Sequence, residues 1–177
     1  TRIALARSIE TKAREMSDLV SNVLDLTRLD AGEVALHRDV EHVEDLVGAA
    51  LHQYDDRLKE HPVDVRVPDD LPPVYVDASL VVQVFSNLLD NAVKYTPAGT
   101  NIYISASSDG PFIRVTVDDD GPGLPPGDPS HLFEKFRRGE REPTVVGAGL
   151  GLAICRAIVQ AHGGTIAARR RPERGTR

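Results

Sequence analysis

The chain has 177 residues, enough for one domain with an appendage, and 41% of them are hydrophobic, enough for a core. The formal net charge of −6 argues against a nucleic-acid binder, because such a protein presents a basic face. The single cysteine, Cys155, rules out an internal disulfide and fits a reducing compartment. No apolar run approaches the ~20 residues that span a bilayer, and no signal peptide opens the chain.

Residues 3–30 have the pattern of one long helix, which Ala31 and Gly32 should end. A seam of residues recurs along it in steps of three and four: Ala13, Met16, Val20, Val23 and Thr27. Because this is the spacing of a helical bundle, we expect the helix to pack on a second helix. The alternative is a helix folded back on its own domain. The pattern begins at Thr1 without a Met, so we expect a piece of a larger protein.

The segment up to residue 99 should contain strands and two helices. We predict a short strand over 33–36, a helix over 43–60, and strands over 63–67 and 74–76. Asp77 then offers a side-chain oxygen as the N-cap of a helix that ends at 96–99. On this helix we expect one apolar stripe to face the core: Val81, Phe85, Leu88 and Ala92.

The same helix carries a second, polar stripe. Asn87, Asn91 and Lys94 lie at i, i+4 and i+7, whereas Asp90 falls nearly opposite the core and should be solvated. Two carboxamides and an ammonium beside an apolar stripe form either a polar flank or a ligand site. In a site, the neutral oxygens would hold a hard divalent cation and Lys94 would meet phosphate. The helix alone does not decide between the two interpretations.

Two further strands are predicted, over 101–107 and through Ile113, Val115 and Val117, joined by a turn at Asp109-Gly110. Counting on by two, Asp119 faces inward with these apolar residues, whereas Asp118 and Asp120 point away. A carboxylate at the mouth of a core is costly unless a donor meets it. Asp119 is therefore a candidate ligand contact.

Residues 121–147 form a connection rich in Gly and Pro, which indicates a functional lid or a disordered loop. The motif GAGLGL at 147–152 then opens a helix, where free N–H groups accept phosphate, although a flexible hinge would give the same pattern. It is neither a dinucleotide fingerprint nor a Walker A motif. After this helix we predict a last strand over 165–168 and a solvated arginine-rich end over 169–177.

Together, four ordered motifs resemble the ATP-binding domain of bacterial sensor histidine kinases. They are NLLDNAVKYT at 87–96, DDGPGLP at 119–125, LFEKFRR at 132–138 and GAGLGL at 147–152. The resemblance implies an α/β two-layer sandwich (the Bergerat or GHKL fold), a mixed sheet with helices on one face, preceded by one long bundle helix. The helix ending in LDLTRLDAG resembles the second helix of a dimerisation hairpin. The run GAGLGLAICRAIVQAHGGTI is most similar to potassium-responsive members of the family.

Three regions follow from the resemblance: 1–32 as the truncated hairpin helix, 33–170 as the ATP-binding domain with a lid at 121–148, and 171–177 as a tail. Asp119 would accept the adenine amino group, and Gly121 and Gly123 would let the backbone approach the base. Asn91 would bind Mg²⁺, with Asn87 beside it. The other implied ATP contacts are Lys94, Tyr95, Lys135, Arg137, Arg138, Gly147, Gly149, Leu150, Gly151 and Leu152. Of the whole set, Asn87 and Lys94 are implied to be catalytic.

The residue at position 87 separates two related chemistries. Hydrolytic relatives of the fold, of the gyrase and MutL type, carry a glutamate there, which can activate water; an amide cannot. Asn87 therefore favours transfer to a protein acceptor. The family's phosphoacceptor histidine is followed by an acidic residue and a nearby Arg-Thr-Pro, and no histidine of this chain has that context. We expect the acceptor to lie outside the fragment, and His131, in the lid, to be exposed or capping.

The resemblance also implies partners and a location. They are a response regulator, the phosphoacceptor helix of the same or a sister chain, and a homodimeric parent anchored in the bacterial membrane, of which this fragment is a cytoplasmic domain. No nucleic acid and no membrane contact are expected for the fragment. Two alternatives stay open: a nucleotide-binding regulator without catalysis, and a serine kinase of the anti-sigma type, which the bundle helix disfavours.

Overall fold

The structure is a computed structural model that describes residues 2–30, 35–135 and 149–177. In chain order the elements are α1 (Arg2–Asp30), β1 (Asp39–Glu41), α2 (Val43–Leu58), β2 (Val63–Arg66), β3 (Val74–Val76), α3 (Ala78–Tyr95), β4 (Ile102–Asp109), β5 (Phe112–Asp119), a 3-10 helix (Pro129–Phe133) and α4 (Gly151–Ala161). Within the described ranges, no helix is both long and apolar enough to cross a bilayer.

The strands form one mixed sheet and one small antiparallel pair. In the mixed sheet, β4 lies between β2, which is parallel to it, and β5, which is antiparallel. The tight β4–β5 connection passes through Gly110 with φ +60°, a conformation that glycine adopts without strain. The second sheet pairs β1 with β3, so that Val40 faces Tyr75. The predicted α/β sandwich with a mixed sheet is confirmed.

The main core lies between this sheet and the helices α2 and α3. Along β4, Ile102, Ile104 and Ala106 alternate with more exposed residues, and all three are buried. From the helices, Leu46 and Leu89 reach the same cluster. Period two on the strand and period 3.6 on the helices therefore meet at one apolar layer, as the sequence predicts.

A second apolar cluster joins α1, α3 and α4. Leu26 of α1 packs with Val84 of α3 and with Ile154 and Ile158 of α4. Leu88 also packs here, so the predicted core-facing stripe is divided: Leu88 faces this second cluster, whereas Val81, Phe85 and Ala92 face the main core. The cause is that α3 is covered on two sides, and Leu88 projects toward α4 rather than toward the sheet.

The helix α1 combines the two predicted possibilities. Its last turns pack on the domain through Val23, Leu26 and Leu29. Farther toward the N-terminus, large apolar side chains stay exposed along it: Leu5, Ile9, Met16, Val20 and Leu24. One end of the helix is thus folded back on its own domain, while the predicted bundle seam is open at Met16 and Val20.

Two predicted strands differ from the structure. For the first, predicted over 33–36, residues 35–36 are not in a strand, and residues 33–34 lie outside the described ranges. The strand of this region is β1, which begins three residues after position 36. Residues 165–168 are not in a strand either.

The predicted solvated end at 169–177 is also wrong, because Thr176 bridges to both Asp119 and Arg170. The positive φ of Gly175, +93°, lets the chain reverse there.

Candidate functional site

The helix α3 carries the polar stripe of Asn87, Asn91 and Lys94, and Asp77 caps the N-terminus of this helix. The Asp77 carboxylate accepts hydrogen bonds from Leu80 N (3.3 Å), Ser79 Oγ (2.7 Å) and His37 N (2.9 Å), and the predicted N-cap is confirmed. Burial alone would raise the pKa of Asp77, but these hydrogen bonds outweigh it and hold the pKa below its usual value. The same residue's N–H donates to His162 Nε2 at 3.0 Å, which ties α3 to the end of α4.

Asn87 and Asn91 lie one turn apart on α3, and Asn87 is at the side that meets the start of α4. Both Nδ2 atoms are buried, and neither has a partner with hydrogen-bond geometry among the described residues; the Asn87 side chain does act on the Cys155 thiol, where it offsets part of the rise in pKa that burial causes. A Cβ built on Gly151 would lie 3.5 Å from Asn87 Oδ1, so the α4 backbone comes close to the amide. Two buried donors without partners are costly, which indicates that a ligand or water meets them.

The first turn of α4 supplies the glycine-rich motif. Gly149 has φ +67°, Leu150 is buried as the residue before the helix, and Gly151 begins it. The first N–H groups of a helix have no partner within it, and the positive end of the helix dipole lies there. Behind this turn, burial raises the pKa of the Cys155 thiol to about 12, so its role is packing rather than reactivity.

The candidate adenine contact lies at the other end of α3. Asp119 Oδ1 accepts a hydrogen bond from Gly121 N at 2.8 Å, and no described residue donates to Asp119 Oδ2. A Cβ on Gly121 would lie 2.5 Å from Thr96 Cγ2 and 2.7 Å from Asp119 Oδ1, so only glycine fits without a shift. Asp119 continues the face of Val117, as predicted, and it pairs in register with Ile102. Gly123, with φ +78°, continues the loop.

Lys94 and Asp90 are placed differently from the prediction. Asp90, whose side chain is only 18% exposed, pairs with Lys94 and with Arg57 Nη1, the latter at 2.8 Å. The prediction that Asp90 is merely solvated is therefore wrong, because two cations from α2 and α3 meet on it. Lys94 is turned toward this carboxylate, one turn back along α3. Tyr95 ends the helix and is half exposed.

The predicted lid is described only in part. Its 3-10 helix packs through Phe133 against α4, where the guanidinium of Arg156 lies 4.8 Å from the ring centroid and donates to Ser130 O at 3.3 Å. Lys135 is exposed at the end of the described stretch. Arg137, Arg138 and Gly147 lie outside the described ranges, and Leu152 follows Gly151 in α4.

Sequence reasoning missed the arginines at the C-terminal end. Arg177 forms a bidentate pair with Asp118 (Nη2 to Oδ2, 2.8 Å), and Arg171 Nη1 pairs with Asp120 Oδ1 at 2.5 Å. The sequence does contain a signal for these ion pairs, which is the opposite charge of the three aspartates at 118–120 and the arginine-rich segment at 169–177. Periodicity could not reveal it, because the partners are more than 50 residues apart.

The described residues fit a nucleotide with Mg²⁺, although none of them forms a metal cage. Nowhere in 2–30, 35–135 or 149–177 do three or more His, Cys, Asp or Glu groups gather at metal-binding distance. Mg²⁺ is commonly held by one or two protein oxygens together with phosphates and waters. An amide presents oxygen on one side and N–H on the other, so Asn87 and Asn91 suit a site shared by a cation and phosphates.

The fold and this site define a class of protein. Residues 76–177 match the family described as Histidine kinase-, DNA gyrase B-, and HSP90-like ATPase. The chain belongs to this family, as the ATP-binding domain of a sensor histidine kinase.

Particular relatives sharpen the comparison. Sensor protein KdpD of Escherichia coli is 44% identical over 170 residues, which is 96% of this chain and 19% of that protein. Among solved structures, histidine kinase AdeS of Acinetobacter baumannii has a TM-score of 0.82 at 26% identity, over 98% of this chain and 81% of that one. Full-length ShkA in complex with AMPPNP has a TM-score of 0.78 at 31% identity, over 96% and 37%. The chain thus spans about a fifth of the KdpD relative.

Proposed function

We propose that this chain binds ATP with Mg²⁺ along α3 and directs its γ-phosphate to a histidine outside the chain, from which it passes to a response regulator. The observation that carries the proposal is that the Nδ2 atoms of Asn87 and Asn91 are buried and lack a hydrogen-bond partner among the described residues, with Gly151 close to Asn87. A structural polar flank would be expected to satisfy these donors internally. A triphosphate with its cation would satisfy them on binding.

Two points along α3, its middle and its C-terminal end, support an orientation for the nucleotide. Gly121, next to Asp119, lies against Thr96 at the C-terminal end of the helix, whereas Gly151 lies close to Asn87 near the middle. Nine residues of helix separate these points by about 13 Å, the span of an extended nucleoside triphosphate. Adenine would lie at Asp119, where Oδ2 accepts the amino group. The phosphates would lie at the start of α4.

Phosphoryl transfer asks mainly for positioning and charge neutralisation, and the cation would supply neutralisation between the phosphates. Asn91 would hold the cation through its amide oxygen, and Asn87 would orient a phosphate or water without acting as a base. Lys94 would exchange its ion pair with the Asp90 carboxylate for one with a phosphate. The lid cations Lys135, Arg137 and Arg138 are the proposed contacts to the γ-phosphate.

We infer that the phosphoacceptor histidine lies outside the chain, because no histidine lies in α1, the helix that would pack against the acceptor helix. The histidines belong to other parts: His37 and His42 before α2, His52 within it, His61 after it, His131 in the 3-10 helix and His162 after α4. His131 Nδ1 contacts Glu134 Oε1 at 2.5 Å, a local contact within the lid segment. We infer a homodimeric, membrane-anchored parent whose cytoplasmic part includes this domain.

Titration calorimetry tests the nucleotide site. ATP should bind more tightly with Mg²⁺ than without it, and ATP should bind more tightly than GTP, whose ring carries an oxygen where adenine carries the amino group. Asp119→Asn should reduce the preference for ATP over GTP by about tenfold, because an acceptor oxygen becomes a donor. Equal binding of ATP and GTP to the unmutated chain would contradict the role of Asp119. Mg²⁺-independent binding would instead favour the regulator without catalysis.

A further inference from the structure

The C-terminal residues 170–177, which we call the C-terminal clasp, bind the end of β5 and the loop that follows it at successive positions. Arg177 pairs with Asp118, and Arg171 Nη1 donates to Asp119 O at 3.0 Å and to Asp120 Oδ1 at 2.5 Å. Two more arginine side chains continue the series along the loop: Arg174 Nε to Gly121 O at 3.2 Å, and Arg170 to Leu124 O. Four arginines therefore act on one seven-residue segment.

The clasp also holds the Asp119 backbone itself. Asp119 N donates to Thr176 O at 3.0 Å, and Thr176 N donates to Asp119 O at 3.3 Å. Gly175 approaches so closely that a Cβ there would overlap the Asp119 carbonyl oxygen. Both the N–H and the C=O of Asp119 are thus fixed by the clasp, and the direction of its side chain is fixed with them.

Charge pairing distinguishes the three consecutive aspartates. Asp118, whose side chain is 10% exposed, pairs with Arg177, and this carboxylate raises the pKa of Arg177. Asp120 accepts a hydrogen bond from the Tyr103 hydroxyl at 2.8 Å, and this bond, together with Arg171, lowers the pKa of Asp120. Asp119 has no cationic partner among the described residues. The clasp therefore occupies the two flanking carboxylates and leaves the middle one available.

We propose that the C-terminal clasp is a positioning element of the adenine site, which aims the free Asp119 carboxylate and shapes the loop from Gly121 to Leu124. Arg171 is its central residue, because it bonds both the Asp119 carbonyl and the Asp120 carboxylate and lies 5.4 Å from the Tyr103 ring centroid. The inference rests on the proposed function, since it assigns specificity to the same nucleotide site.

A double-mutant cycle with ADP as the probe tests the clasp. Arg171→Gln should weaken ADP binding by about tenfold, the loss of one charge-assisted contact. In an Asp119→Asn background the same substitution should have almost no further effect, because a positioning residue acts through Asp119. Arg171→Lys should recover only part of the loss, since an ammonium lacks the planar fork that reaches both oxygens.

The matched control is Arg169→Gln, which removes the same charge one position before the clasp. The Arg169 side chain is exposed and makes no hydrogen bond or ion pair within the described ranges, so ADP affinity should stay within about twofold of the unmutated chain. Thermal unfolding of every variant checks the fold. If Arg171→Gln does not fold, the cycle is run with Arg171→Lys.

The outcomes separate the two proposals. Failure of the unmutated chain to bind ADP would overturn the proposed function. If the unmutated chain binds ADP but folded Arg171 variants bind it equally well, the clasp proposal is overturned. Additive losses in the cycle would also overturn it, because they would show that Arg171 acts independently of Asp119. A loss confined to the background with an intact Asp119 supports the clasp.

Discussion

At the scale of single residues, Asp77 is the carboxylate on which the start of α3 depends. It accepts hydrogen bonds from the segment before β1 and from the first turn of α3, while its own N–H donates to His162 at the C-terminal end of α4. The His162 Nδ1 contacts Ile158 O at 2.8 Å, so Nδ1 carries the proton and Nε2 is the acceptor. The side chain and the N–H of Asp77 thus connect the segment before β1, the start of α3 and the end of α4.

This arrangement predicts a pH dependence. A carboxylate whose pKa is lower in the folded than in the unfolded state adds stability above the unfolded value, and the stability is lost as pH falls through the folded value. Asp77 is such a group. Asp77→Asn should lower the free energy of unfolding at pH 7 by about 1 kcal/mol, because one hydrogen-bond acceptor is lost. The difference between the two proteins should shrink as pH falls below about 4, the usual Asp pKa.

Urea unfolding between pH 7 and pH 3 measures this effect. Asp56→Asn is the matched control, since the Asp56 side chain is 91% exposed and its one ion pair within the described ranges is with the exposed Lys59 at the same helix end. It should change stability little at any pH. The same pH slope for Asp77→Asn and the unmutated chain would show that Asp77 does not carry the acid dependence.

At the scale of elements, the α1–α4 contact is a packing interaction that can be tested with two leucines on one helix. Leu26 is 4% exposed in the second cluster, whereas Leu24 is 50% exposed two residues earlier. Leu26→Ala should lower the free energy of unfolding by about 2–3 kcal/mol through lost burial and a residual cavity. Leu24→Ala should change it by less than about 0.5 kcal/mol. Equal costs in urea unfolding would mean that α1 does not pack on α4 in solution.

The contact of Arg156 with the 3-10 helix makes a second prediction at this scale. Because a cation–π contact is worth about 1 kcal/mol, Arg156→Gln should raise the rate of lysine-specific proteolysis after Lys135 by about fivefold. ATP should slow this cleavage in both proteins. Arg38→Gln is the control, since Arg38 Nη2 bonds Ala161 O at the other end of α4. A cleavage rate that Arg156→Gln leaves unchanged would show that this contact does not hold the lid segment.

Much of the fold follows from local sequence. Alternation in β4 and β5 correctly puts Asp119 on the inward face, and Asp77 correctly marks the start of α3. The misses share one cause, which is contact between distant segments. Leu88 packs on a different cluster from the rest of its stripe because α4 covers a second side of α3, and the prediction of a solvated Asp90 fails because Arg57 belongs to α2. The prediction of a solvated C-terminal tail fails because the partners of the tail lie at 118–124, which no periodicity connects to residue 177.

At the scale of the whole molecule, the net charge of −6 conceals an ordered distribution of charge. The arginine-rich C-terminus pairs with the aspartates at the end of β5 and with the loop that follows, whereas the proposed phosphate-binding face relies on amides and helix N–H groups. The exposed apolar residues of α1, including Met16 and Val20, face away from the domain, where the proposed hairpin partner would pack. We therefore propose that the chain binds nucleotide by itself and presents it to a phosphoacceptor histidine on a separate helix.

The most direct test of this account is phosphate transfer from γ-labelled ATP with Mg²⁺. The chain alone should bind ATP and gain no stable label. With a separate polypeptide carrying the phosphoacceptor hairpin, label should appear on that polypeptide, labile in acid and stable in alkali. Asn91→Ala should abolish this labelling while leaving the fold intact, because Asn91 does not belong to either apolar cluster. Label on His131 or any other residue of the chain alone, or transfer that persists in Asn91→Ala, would contradict it.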